Sequence, residues 1–159
     1  MKTTRVLVGL FIITMTAAAG DGLQGPVTGY VFDARQSAIR PIEGLPGAAR
    51  LAEGFAGDKG LAECTMSSRN RLALCRTTGE GPWLVVAWSG GEVTTREVAG
   101  LSGSAETALV SDGGARAAIH FGSLADAGGR LVWVRDLGTE AAVDSSQETG
   151  TGWRMLAMA

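Results

Sequence analysis

Past residue 19 the apolar positions gather in short runs closed by clusters of Gly, Ser, Asn, Asp or Pro, which predicts strands joined by turns. Two stretches about 44 residues apart, Ala62 to Val98 and Ala105 to Val143, repeat one order of elements. The first predicts strands at Leu61–Met66, Arg71–Arg76, Trp83–Trp88 and Val93–Val98. The second predicts them at Ala105–Val110, Ala115–Phe121, Arg130–Asp136 and Thr139–Val143. Ser67 falls on Ser111, Ala73 on Ala117 and, across a longer loop, Leu84 on Leu131. Units of four short strands at this period predict antiparallel blades of the β-propeller kind. The first strand of each unit is built from small residues, the third carries Trp83, Trp88 or Trp133, and Thr94 to Glu97 gives a polar fourth strand suited to an edge.

Before the first unit, Val27 to Asp33 and Ala38 to Ile42 predict a half-blade, with Pro41 marking the second strand as outermost because proline cannot donate to a ladder. Gly44 to Gly60 predicts a loop with at most one or two helical turns, long enough to be functional or mobile. After the second unit, residues 152–158 (GWRMLAM) predict the start of a further blade. Two full blades with partial ones fall below the four needed to close a ring, so the expectation is an incomplete propeller, or a protomer that completes its ring with another copy.

Residues 1–19 follow another pattern. Lys2 and Arg5 precede an apolar run from Val6 to Thr16, and Ala17-Ala18-Ala19 gives a small-residue cleavage site before Gly20. This predicts a signal peptide cut between Ala19 and Gly20, a mature chain of residues 20–159 outside the cytoplasm, secreted or periplasmic, and no membrane contact after cleavage. The apolar run is too short to span a bilayer, and no Cys follows it for lipid attachment.

Composition adds two points. Glycine supplies 24 of 159 residues, which demands many turns, and the 45% hydrophobic fraction excludes a disordered chain. Without Lys2 and Arg5, the 14 basic side chains fall to 12 against 16 acidic ones, a net charge of −4 spread without runs. That balance argues against nucleic acid as a partner.

Ser111-Asp112-Gly113-Gly114 with Ala117, followed by Leu131-Val132-Trp133-Val134, resembles the repeat of bacterial secreted β-propellers of the YVTN and WD40-like kind. No Trp-Asp dipeptide closes a strand and no Gly-His opens a unit, so the WD40 family proper does not fit. The resemblance implies a fold and a binding role; it transfers no catalytic residue.

Candidate chemistry is sparse. His120 is the only histidine, which excludes a multi-histidine metal site, weakens any Ser/His/Asp triad, and reads as a strand-end residue beside Phe121. Asp33, Asp112, Asp126, Asp136 and Asp144 offer oxygens to calcium but lie in no EF-hand pattern, and read as turn residues. The tryptophans are read as packing between blades, with sugar stacking as the alternative. Cys64 and Cys75 are the one sharp pair. A turn centred on Arg69-Asn70 sets them opposite one another, and export makes a disulfide chemically feasible. A strict two-residue hairpin would make theirs a hydrogen-bonded pair, a poorer geometry for bridging, so two free buried thiols remain the alternative.

These readings lead to a secreted, non-enzymatic binding module of β-propeller type, with no catalytic, metal or cofactor residue assigned. Its ligand is a protein, a small molecule or a carbohydrate. Two alternatives stand beside it, a propeller scaffold domain of an extracytoplasmic, quinoprotein-like enzyme and a structural β-sandwich adhesin. Intact mass of the protein recovered from outside the cytoplasm tests the export reading: the expected species begins at or near Gly20, and one retaining Met1 overturns it.

Overall fold

The computed structural model describes residues 26–67, 69, 71–122 and 129–149. The expected signal peptide at residues 1–19, its expected cleavage point between Ala19 and Gly20, Asp126 and the strand expected at residues 152–158 lie outside them. Apart from a 3-10 turn at Gly57–Lys59, every regular element described is a strand.

β1 (Val27–Asp33) and β2 (Ala38–Glu43) form an antiparallel hairpin, and β3 (Arg50–Leu51) adds a short edge to it. Arg40 Nη1 donates to Asp33 Oδ2 at 3.1 Å across this hairpin. That bond, helped by the Arg35 N–H, holds the Asp33 carboxyl below the ordinary range, so its contribution is present above that range and fades as pH falls through the lowered value. β2 is central in its sheet, not outermost as Pro41 suggested. Its neighbour β3 reaches only Ile42 and Glu43, and Pro41 contributes just its carbonyl, which accepts from Ala52 N at 2.9 Å. The Gly44 to Gly60 connection is likewise pinned, because Phe55 and Ile39 exchange both backbone hydrogen bonds.

Two antiparallel meanders follow. The first is β4 (Leu61–Met66), β5 (Leu72–Thr77), β6 (Pro82–Ser89) and β7 (Glu92–Ser102). The second is β8 (Thr107–Val110), β9 (Arg116–Gly122), β10 (Gly129–Arg135) and β11 (Ala142–Thr149). The all-β class is as expected, but the units are not separate blades. β7 and β11 pair in parallel through Ala99 and Ala142, which joins both meanders into one eight-stranded mixed sheet, ordered β4-β5-β6-β7-β11-β10-β9-β8. Its end strands also meet: Thr65 Oγ1 donates to Ala108 O at 3.1 Å and Ser67 Oγ to Asp112 O at 2.9 Å. The sheet is therefore nearly closed and barrel-like. The cause lies in β7, whose polar start behaves as an edge while Val98 and Leu101, both buried, turn its far half inward beside β11.

Two further expectations change. The fourth strand of the second unit is Ala142–Thr149, not Thr139–Val143. Asp136, at φ 56°, starts a turn that drops Leu137 into the core, and the polar run after Val143 then forms the strand with its side chains outward. The register also matches Leu84 with Val132 instead of Leu131, since Cys64, Cys75 and Leu84 stand in one row and Ala108, Ile119 and Val132 in the equivalent one. A one-residue difference of this kind places Leu131 and Trp133 on the opposite face.

The core has two parts. Leu74, Trp83 and Val85 of the first meander pack against Ile119, Val132 and Val134 of the second. On the other face of the first meander, Ala73, Val86 and Trp88 pack against Ile39, Tyr30 and Phe32 of the small sheet. The molecule is thus a stack of three layers with β4–β7 in the middle.

Cys64 and Cys75 are directly paired and joined by a disulfide, with Cα atoms 4.1 Å apart. The turn explains the short spacing. Its closing hydrogen bond runs from Ser67 N to Leu72 O, which makes the Cys pair, three steps along the ladder, a non-hydrogen-bonded one with inward-leaning side chains. Peptide mapping without reduction is expected to recover β4 and β5 as one linked species. Replacing both cysteines by Ser is expected to cost about 3 kcal/mol in denaturant unfolding, the loop-closure value for a short loop; no loss would show the bridge to be idle.

Candidate functional site

A cleft of about 370 Å³ opens between the start of β1 and the β4–β5 turn. Val27 to Tyr30 form one wall, Met66, Ser67, Arg69 and Arg71 the other, and Trp88 lies between. A register shift between Val27 and Gly29 carries the strand end to the mouth of the cleft. The aromatic side is pre-organised. The ring of Tyr30 is 4.7 Å from that of Trp88 and 6.3 Å from that of Phe55, and Phe55 and Trp88 are 5.3 Å apart. Rings held this way contribute more than their buried area alone.

The polar groups of the cleft are unevenly satisfied. Trp83 donates from Nε1 to Gly103 O at 3.0 Å, whereas Nε1 of Trp88 is buried with no acceptor among the described residues. Arg69 reaches Asp112 at 3.9 Å, an exposed and weak pairing. Arg71 is exposed and has no carboxylate within ion-pair distance among the described residues. The Ser67 hydroxyl donates to Asp112 O at 2.9 Å, which ties the β4–β5 turn to the loop after β8. Aromatic rings beside an arginine with no carboxylate partner among the described residues, Arg71, suit a ring-shaped ligand that carries an anion.

His120 belongs to a second cluster, which sequence reasoning missed. Its Nδ1 lies 3.2 Å from Glu106 Oε2 and its Nε2 3.2 Å from Thr149 Oγ1. Carboxylate oxygens only accept, so Nδ1 donates to Glu106, while Nε2 and the Thr149 hydroxyl share the second hydrogen bond. This is the connectivity of a hydroxyl–imidazole–carboxylate relay, with Thr149 only 5% exposed. The cluster acts instead as a latch that ties β8, β9 and β11 together. Gly129 makes room for it: a Cβ there would stand 2.6 Å from His120 Nε2 and 2.8 Å from Thr149 Oγ1.

The remaining sequence candidates do not converge. Asp33 pairs with Arg40, Asp112 with Arg69, and Asp136 and Asp144 with Arg135. Among the described residues no group of three or more His, Cys, Asp or Glu side chains is placed to hold a metal ion. The disulfide packs beside Trp88 in the smaller core and is not part of the cleft lining. Tyr30, Trp88 and Arg71 come from three different strands and turns; the only trace in sequence was an aromatic residue at a strand end.

Gly129→Ala is expected to lower unfolding stability by about 1–3 kcal/mol through displacement of the His120 ring. His120→Ala is expected to cost a similar amount by leaving the buried Thr149 hydroxyl unpartnered. Chemical denaturation checks both, and unchanged midpoints would remove the latch. No protein family, curated protein or solved structure matches this chain.

Proposed function

We propose that the protein is a secreted, non-enzymatic binding module whose ligand seats in the cleft between β1 and the β4–β5 turn. One observation carries the reading: a preformed cleft of about 370 Å³ joins the Tyr30 and Trp88 rings to the guanidinium of Arg71, which has no carboxylate partner among the described residues. Small-molecule sites are typically concavities of this size, lined by aromatic side chains with a few polar groups that fix orientation. The chemistry favours a small ring acid, either an aromatic carboxylate or an acidic sugar. The ring lies against Tyr30 and Trp88, and the anion meets Arg71. Resemblance to secreted propeller repeats agrees with a binding role, and export agrees with a disulfide-bonded chain.

Ligand-observed NMR on residues 20–159 with benzoate, indole-3-acetate, glucuronate and N-acetylneuraminate tests the reading. At least one acid is expected to bind, and Arg71→Ala is expected to weaken it about tenfold, the effect of losing one charge-assisted contact worth roughly 1.4 kcal/mol. Binding unaffected by Arg71→Ala, or no binding by any of the four, overturns the assignment of the cleft.

A further inference from the structure

The small sheet has one strand paired on a single side. In the order β1-β2-β3, β1 pairs only with β2, and the hydrogen bonds of β2 show which backbone groups of β1 are left over. Ile39 exchanges both of its backbone bonds with Phe55, and the Pro41 carbonyl accepts from Ala52 N, so both residues direct their backbone groups away from β1. Their partners across the hairpin, Phe32 and Tyr30, therefore stand in non-hydrogen-bonded pairs, with N–H and C=O aimed outward from the sheet. Neither has a backbone partner on that side among the described residues. The strand is seven residues long and contains no proline or lysine, and its one charged residue, Asp33, is paired with Arg40. Edge strands commonly carry such residues to keep a further strand from adding, and this one lacks them. The edge also leads to the cleft. β1 is the strand of the small sheet that lies against β4, and Val27, Thr28, Gly29 and Tyr30 at its start line the concavity that holds Trp88 and Arg71.

Resting on the reading of the cleft given above, we propose that its ligand is the C-terminal end of an extended peptide, paired antiparallel with the free edge of β1 and closing on an aromatic residue. The direction follows from the position of the cleft, because only a chain running against β1 brings its C-terminus to the Val27 end. The closing residue follows from the chemistry of the cleft. An aromatic residue at a C-terminus carries a ring and a carboxylate on one unit, which is what Tyr30, Trp88 and Arg71 together receive. That residue stands opposite Tyr30, its ring on the same side of the extended sheet as the Tyr30 ring and its carboxylate continuing toward Arg71. The residue two positions earlier stands opposite Phe32, and the one between them turns its N–H away from β1. Main-chain bonds of this kind supply affinity, and the pocket at the end of the strand supplies selection.

The probes are acetyl-VTVF with a free carboxylate, its C-terminal amide, forms singly N-methylated at each of the last three residues, and acetyl-phenylalanine. Titration calorimetry on residues 20–159 reads their affinities. The tetrapeptide is expected to bind about tenfold more tightly than acetyl-phenylalanine, the gain from the added backbone bonds. N-methylation of the terminal residue, or of the residue two positions earlier, removes an N–H aimed at β1 and is expected to weaken binding about tenfold, whereas N-methylation between them changes it by less than about twofold. Amidation of the carboxylate and Arg71→Ala are each expected to weaken it about tenfold. Equal affinity for acetyl-phenylalanine and the tetrapeptide, both lowered by Arg71→Ala, overturns the peptide and leaves the cleft as a site for ring acids. Binding by a ring acid such as glucuronate but by neither of these probes does the same, and no binding by any acid overturns the cleft together with the peptide. An effect of N-methylation that does not alternate along the chain overturns the pairing with β1. Tetrapeptide binding that appears only after residues 150–159 are removed, or that weakens as protein concentration rises, also overturns the inference, by giving the edge to that segment or to a second copy.

Discussion

A sheet buried on both faces needs two partners, and the middle layer is such a sheet. β5 reads Leu72-Ala73-Leu74-Cys75 and β6 reads Trp83-Leu84-Val85-Val86, and all eight side chains are buried although neighbours point to opposite faces. Neither strand satisfies its apolar surface against one neighbour. The small sheet on one side and β8–β11 on the other are therefore conditions for the middle layer to exist in water. Removing Leu74 or Val86 would open a void on one side only, yet both layers of the contact would lose packing.

The same residues show what was legible in the sequence. Continuous apolar runs bounded by turn residues gave the strands of the middle layer within a residue or two, and the Cys64–Cys75 facing followed from the turn between them. Alternation failed where burial was uneven. β11 has only Val143 as a large apolar residue, so the expected strand stopped there and its boundaries, Thr139 to Val143, were placed too early. The register of β10 was misread because Leu131 and Val132 are both apolar and only pairing with β9 tells which one faces inward. The edge joining of β7 to β11 rests on a single parallel bridge, a long-range contact with no local trace.

The cleft was illegible for the same reason. Its three decisive side chains, Tyr30, Arg71 and Trp88, belong to β1, to the β4–β5 turn and to β6, and meet only because one layer is laid over another. A cleft at a seam between layers has walls that belong to different sheets. Its width follows how those sheets settle on each other, whereas the interior of one meander is fixed by its own ladder. The aromatic triad of Tyr30, Phe55 and Trp88 spans this seam and limits the freedom of the two sheets to slide.

The disulfide also bears on the order of assembly. Cys64 and Cys75 are only 11 residues apart, on adjacent strands, whereas the contacts that complete the stack join distant parts of the chain. Local hairpins close in microseconds, and distant strand pairing is far slower. Once oxidised, the bridge keeps the β4–β5 hairpin in its final register through any opening of the other layers. The covalent link turns one strand pair into a permanent template, and β6 adds to an edge that can no longer slip.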